Sequence, residues 1–359
     1  MAVAKFDKRE LEVVQTVPGV NGAPDTDVYS FPVTPKEACR ALYERKPIWQ
    51  TTGVEQKIFN PKINPDNIAR AFVLDASDIP MMTGGGPDMF GIEWEFIPQV
   101  GGSMVRPGKP FAGDANEIAG KIVWPDIEKW DWEGAAKYNA DFLNEPKFIS
   151  GWIMNGWYER LISFMDFENA IMALFDEDQK DAVHAFFDQL SDLYIKIIDK
   201  TLTYFPQVDV FSIHDDWGSQ KETFFSPEVA EEMIVPYMKR VNDYIHSRGR
   251  FADLHSCGMG LKQVPNFIAA GWDSWIPQLM NDTQKIYELY GDKILISVAP
   301  DAADMSTLPE AEQRALARDY ADKFCDPKKP SRFNSYSNSM LTKAFREELY
   351  IRSRENYSK

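Results

Sequence analysis

The chain has 359 residues, 44% of them hydrophobic and 26% charged, with three cysteines and a formal net charge of −16. That length can bury a core without staples, and three cysteines are too few and too odd in number for a disulfide framework. The acidity opposes binding to phosphate backbones, so no nucleic-acid partner is expected, and no apolar run reaches the roughly 18 residues of a membrane span.

The opening MAVAKFDKRE carries charge where a signal peptide needs an apolar stretch, which predicts a reducing, cytoplasmic setting. Residues 1–34, with VNGAPDTD, read as an irregular entry segment, and 35–359 as a single domain. PKEACRALYERK at 35–46 predicts a helix in which Cys39 is inert packing. Short apolar runs then alternate with longer amphipathic stretches. The runs are 72–79, 90–97, 148–154, 208–216, 251–257, 273–279, 294–301 and 332–338. Many are β-branched or aromatic and bounded by Gly, Pro or Asp, which favours buried strands. The clearest helix is 226–248, with Ser226 as cap, Pro227 in the first turn and Gly249 past the end; 177–199 and 308–324 are two more. FREELYIRSRENYSK reads as a solvated helix at the end of the chain.

Strands alternating with helices imply parallel strands joined by right-handed crossovers. About eight of them predict an α/β fold of the (β/α)₈ TIM-barrel type. GGSMVRPGKP after the second run leaves a hairpin open there, and an open doubly wound sheet is the alternative. No GxGxxG opens a helix, so a dinucleotide fold has no support.

Reactive side chains in such a barrel come from the C-terminal strand ends. That places Asp215 and Asp216 at one end, His255 and Cys257 at the next, Gln278 and Asp301 at two more, and Tyr336 at the last. His255 and Cys257 alternate with Ser256, so both face one way on an extended strand. Imidazole and thiolate suit zinc, but two ligands do not make a zinc site, and a buried thiol beside a hydrogen-bonded imidazole is the plainer alternative. His214, Asp215 and Asp216 can bind substrate, orient a metal, act as acid and base, or cap the following helix. Trp94, Trp152, Trp157, Trp217 and Tyr158 can line a pocket or fill the core.

HDDWGSQ, SPEVAEEMIVPYMKRVNDYIHSRG, LHSCG, AGWDSWIPQL and YGDKILISVAPD form an ordered series. As a set it resembles the uroporphyrinogen decarboxylase superfamily, over roughly residues 35–340, and within it the corrinoid-linked methyltransferases of anaerobes. The resemblance implies a TIM barrel. RALYERKPIWQ lacks the arginine-rich pattern with which the decarboxylases hold a polycarboxylate, and Arg40 and Arg45 alone make a poor clamp.

The methyltransferase branch carries a His-x-Cys zinc pair that matches His255 and Cys257. A late third cysteine is expected in its thiol-methylating members. Cys325 closes the helix before the last strand, at the opposite end of a barrel, so Asp216, Glu93 or Glu95 is the candidate replacement. The resemblance thus implies zinc, cobalamin carried on a partner corrinoid protein, and a small methyl donor such as a methoxylated aromatic. Asp215 and Asp216 are then the catalytic candidates, and His214, Trp217, Gln278, Asp301 and Tyr336 the substrate-binding ones. A metal-independent decarboxylase and a non-catalytic corrinoid- or ligand-binding barrel are the alternatives. A homodimer is the default assembly.

Overall fold

FISGWI, VDVFSIH and FADLH lack the polar alternation of a half-solvated strand, as strands covered on both faces do. The computed structural model describes residues 5–17, 26–99, 101–302, 304–335 and 338–359. It divides into two compact units: Lys57–Glu145 with Ile149–Asp282, and Met1–Gln56 with Pro146–Phe148 and Thr283–Lys359.

The larger unit holds β1 (Gln56–Phe59), β2 (Phe148–Ile153), β3 (Val208–His214), β4 (Phe251–His255) and β5 (Ser274–Trp275), apart from the first residues of β1 and β2. They are hydrogen-bonded in that order, and the pairs from β2 to β5 are parallel. Every residue of β3 is buried. Helices Trp157–Ala173 and Lys180–Tyr204 follow β2; Pro227–Met233 and Val235–Ser247 follow β3; Val264–Ala269 follows β4. The helix expected at 226–248 is capped by Ser226 but breaks at Ile234. Pro236 supplies no N–H to the Glu232 carbonyl and its ring crowds that oxygen, so the chain starts a second helix there.

The first two expected barrel strands are corrected. Run 72–79 forms no ladder among the described residues; Leu74 makes an isolated antiparallel bridge with Asn60, and the Asp75 carboxylate then closes a turn on the Ser77 N–H. Run 90–97 becomes Glu93–Ile97, the centre of an antiparallel ribbon between Gly85–Pro87 and Gly102–Val105. The strand at the head of the hydrogen-bonded order is Gln56–Phe59 instead, too short and polar to stand out in the sequence. No ladder among the described residues closes a barrel; the architecture is a mixed α/β fold built on a parallel sheet.

In the smaller unit β6 (Leu295–Val298) pairs in parallel with β7 (Arg332–Phe333). Segment 1–34 contributes the antiparallel strands Val13–Val17 and Thr26–Tyr29. The terminal helix Lys343–Tyr357 is not solvated all round, because it buries Phe345, Leu349, Tyr350 and Arg354. Arg354 meets Glu10 at 2.8 Å, and the Tyr350 hydroxyl donates to the same carboxylate at 2.6 Å. No helix among the described residues is long and apolar enough to cross a membrane.

Candidate metal centre

The parallel register of β3 and β4 sets His214 beside His255, with ring centroids 5.0 Å apart. Two residues beyond each strand-end histidine come Asp216 and Cys257. One ligand atom from each of His214, Asp216, His255 and Cys257 lies within 4.8 Å of all the others. Cys257 Sγ is 3.4 Å from His255 Nε2, and Asp216 Oδ1 is 3.1 Å from His214 Nε2. Ligands about 2.0–2.3 Å from a tetrahedral zinc ion need separations of that order, so small side-chain rotations would close the set on a cation.

The loops after the two strands cross to hold these residues. The Met259 N–H donates to the Ser219 carbonyl at 2.8 Å, and Gly258 sits at φ 81°. A Cβ at Gly258 would lie 2.0 Å from the Gly218 carbonyl oxygen. This explains the glycine of LHSCG: it passes close to another backbone in a conformation that L side chains resist. Gln278 braces the same loop, its Oε1 accepting the Gly258 N–H at 2.8 Å.

Burial and its neighbours set the charges. Burial, aided by the nearby His214, pushes His255 down to about 4, so its imidazole is neutral at ordinary pH. Burial, then the Asp216 carboxylate, pushes the Cys257 thiol well up. Burial opposes protonation of His214, but Asp216 outweighs it and the ring is shifted upward. Burial opposes ionisation of Asp216, but His214 outweighs it and holds the carboxyl well below the usual range. The Cys257 N–H also donates to Asp216 Oδ1, at 2.6 Å.

No protein-family model matches the chain, and no curated protein matches it. Among solved structures, a methyltransferase from Methanosarcina mazei aligns over 91% of this chain and 99% of that one, with a TM-score of 0.56 and 14% identity. The chain shares the fold of that methyltransferase. An α-galactosidase from Saccharomyces cerevisiae aligns at 11% identity and a TM-score of 0.32, over 66% of this chain and 52% of its own. A GH10 endoxylanase from a sugarcane soil metagenome aligns at 11% and 0.30, over 63% and 77%. Scores at that level carry no argument. The shared methyltransferase fold is a likeness of backbone; the site has to be read from its own residues.

Several candidates from the sequence lie elsewhere or do another job. Asp215 is fully buried. Its Oδ1 accepts the Glu159 N–H at 2.8 Å and its Oδ2 the Trp217 indole N–H at 2.9 Å. It therefore caps the Trp157–Ala173 helix, which precedes it in the chain, rather than the helix that follows. Trp217 is core, 1% exposed. Glu93 is exposed and Glu95 pairs with Arg106 at 2.5 Å on the ribbon; neither is in the four-residue group. They line, with Trp94 and Arg106, a cavity of about 620 Å³. Asp301, in the smaller unit, accepts from Gln284 and Lys323. Cys325, which the sequence already sets aside as a ligand, lies in the same unit and donates to Gln50 Oε1 at 3.3 Å. Tyr336 lies outside the described residues.

The surroundings add residues that the sequence did not flag. Arg70, from the ribbon side of the unit, reaches His214 Nδ1 at 3.0 Å, Glu159 Oε2 at 3.0 Å and Asn155 Oδ1 at 2.9 Å. Its guanidinium lies 4.8 Å from the Trp94 ring centre. Trp152 packs on His255 with centroids 5.3 Å apart, and Phe72 packs on Trp152. Behind them Arg160 is wholly buried against Asp66 and Asp88. Nothing in DNIARAF, residues 66–72, marks Arg70 as different from any surface arginine.

Proposed function

We propose that the chain is a zinc-dependent methyltransferase that moves a methyl group between a small donor, such as a methoxylated aromatic, and the cobalt of a corrinoid carried on a partner protein. The observation that carries this reading is the gathering of Asp216, His255 and Cys257 at one end of a parallel sheet. A methyltransferase of the same fold supports it. The donor set fits zinc: one thiol, one neutral imidazole and one carboxylate are its common ligands. A zinc ion held there supplies Lewis acidity to the heteroatom that loses the methyl group.

The chain's own residues prepare the site. Burial keeps His255 unprotonated, so a ring nitrogen has its lone pair to offer. Cys257 holds its proton until a cation displaces it. The Cys257 N–H, donating to Asp216 Oδ1 at 2.6 Å, and His214 Nε2, 3.1 Å from the same oxygen, hold that carboxylate in place. Trp152 and Phe72 form an aromatic wall against His255, a surface suited to a planar donor.

Zinc analysis of purified wild type and Cys257→Ala tests the site: one equivalent is expected in the first and a sharply lower content in the second. Reduced corrinoid protein is then supplied with methoxylated aromatics and methylamines. Methyl–cobalt formation with one donor class is expected. Its absence with every donor refutes the reading, and carbon dioxide release without corrinoid would identify a decarboxylase instead.

A further inference from the structure

We infer that His214 is a positioning residue for Asp216 rather than a fourth ligand, and that Arg70 fixes it in that role. The ligand-set half of this inference rests on the metal reading above; the Arg70 half stands without it. Arginine carries donors only and stays charged. Its contact to His214 Nδ1 at 3.0 Å is a hydrogen bond only if that nitrogen accepts. The neutral ring then carries its proton on Nε2, which lies 3.1 Å from the Asp216 carboxylate. That carboxylate already accepts the Cys257 N–H on the same oxygen, so it acts as acceptor, not donor. Both ring nitrogens are thus committed.

A competing arrangement exists. With the proton on Nδ1, the ring would donate to the Met154 carbonyl at 3.2 Å, and Nε2 would have a lone pair for a cation. Arg70 stands in the way. Its side chain is 10% exposed and is held by Glu159 and Asn155 as well as by the Trp94 ring, so it cannot swing out without leaving Glu159 unpaired. If the ring takes a second proton instead, Nε2 still carries a hydrogen toward Asp216. In every arrangement that keeps Arg70 in place, His214 offers the cation no lone pair.

The consequence is a particular coordination. Asp216 Oδ2, His255 and Cys257 make three protein ligands, and the fourth position stays open. Structural zinc sites fill all four positions from the protein, whereas catalytic ones leave one for substrate or water. Hydrogen-bonded support behind a ligating carboxylate is the usual second layer of such a site.

The test begins with metal-free wild type, because the chain has four histidines and selective ¹⁵N-histidine labelling resolves them. His214→Gln assigns the resonance. A protonated Nε2 on His214 is expected, and an unprotonated Nε2 overturns the Arg70 half of the inference. Arg70→Leu should release the ring to the Nδ1–H form; an unchanged Nε2–H pattern in a folded variant also counts against it. Should that variant fail to fold, the wild-type measurement decides alone. Cobalt(II) is then titrated into wild type and His214→Gln. One equivalent in both, with the same thiolate-to-cobalt band and an affinity weakened by about 10- to 100-fold in the variant, supports a positioning role. Lost bands or a changed ligand-field pattern in the variant makes His214 a ligand and refutes the ligand-set half. No cobalt or zinc bound by wild type refutes that half together with the methyltransferase reading, while the nitrogen spectrum still judges Arg70.

Discussion

Replacing Asp215 by alanine separates a structural carboxylate from a catalytic one. The wild-type side chain caps the Trp157–Ala173 helix and receives the Trp217 indole, and none of it reaches solvent. Loss of a helix cap costs about 1 kcal/mol. A buried indole N–H left without an acceptor costs about 1–3 kcal/mol more. Unfolding entropy near 60 °C is about 2.1 cal/mol/K per residue. A total of about 3 kcal/mol then lowers the melting temperature by about 4 °C if the whole chain melts together, or about 6 °C if the larger unit melts alone. Calorimetry reads the shift, and zinc analysis of the same sample should still find one equivalent. An unchanged melting temperature with lost methyl transfer would refute the capping account and return Asp215 to the chemistry.

Three other outcomes follow from the same contacts. Burial, resisted by the helix N–H groups and the Trp217 indole, pushes Asp215 up to about 7; a raised carboxyl stabilises below its ordinary range and loses that contribution as pH rises through 7. The stability gap between wild type and Asp215→Asn should therefore narrow from pH 5 to pH 8.5 in denaturant titrations, and a constant gap would contradict the shift. Arg160→Met leaves Asp66 and Asp88 buried without their cation, so a loss of about 3–5 kcal/mol is expected by urea unfolding, largely recovered when both aspartates become asparagine. Gly258→Ala forces a Cβ into the Gly218 carbonyl at a positive φ, so isothermal titration should show weaker zinc binding even where the protein remains folded.

The sequence carried the later strands of the larger unit well. Runs such as VDVFSIH are apolar on both faces and end in polar groups, and a parallel strand buried on both sides requires that pattern. It failed at residues 72–97, where FVLDASDI and FGIEWEFI are apolar enough for barrel strands. Asp75 turns the chain out of the first run at Ser77, and Gly91 and Gly101, both at positive φ, let the chain double back on either side of Glu93–Ile97 into a ribbon. LHSCG and HDD were visible as a group because their residue types are scarce and sit at strand ends. The roles within HDD were not visible. Adjacent residues on a strand end face opposite ways, so Asp216 reaches the group with His214 while Asp215 turns to the helix N-terminus, and only that helix's position tells which carboxylate is which. Arg70 was hidden for a different reason: a buried cation is recognised by its partners, and its partners lie about 85 to 144 residues away.

Charge balance ties the group together and yields one more measurable consequence. Arg70 and Glu159 form an ion pair and cancel. Asp216 is ionised, and His255 is neutral. With His214 in the neutral form that the Arg70 contact to Nδ1 requires, the buried Asp216 carboxylate beside the thiol leaves one negative charge, which agrees with burial and Asp216 together holding the Cys257 proton on. A dication entering the site would be balanced by Asp216 and a thiolate, so the loaded site reaches neutrality by giving up the Cys257 proton. Weak buffering with an indicator dye at pH 8 should therefore record about one proton released per zinc bound, and none from Cys257→Ser. Release of no proton by the wild type would mean that Cys257 either starts as a thiolate or stays out of the coordination, and each alternative breaks the electrostatic account of the centre.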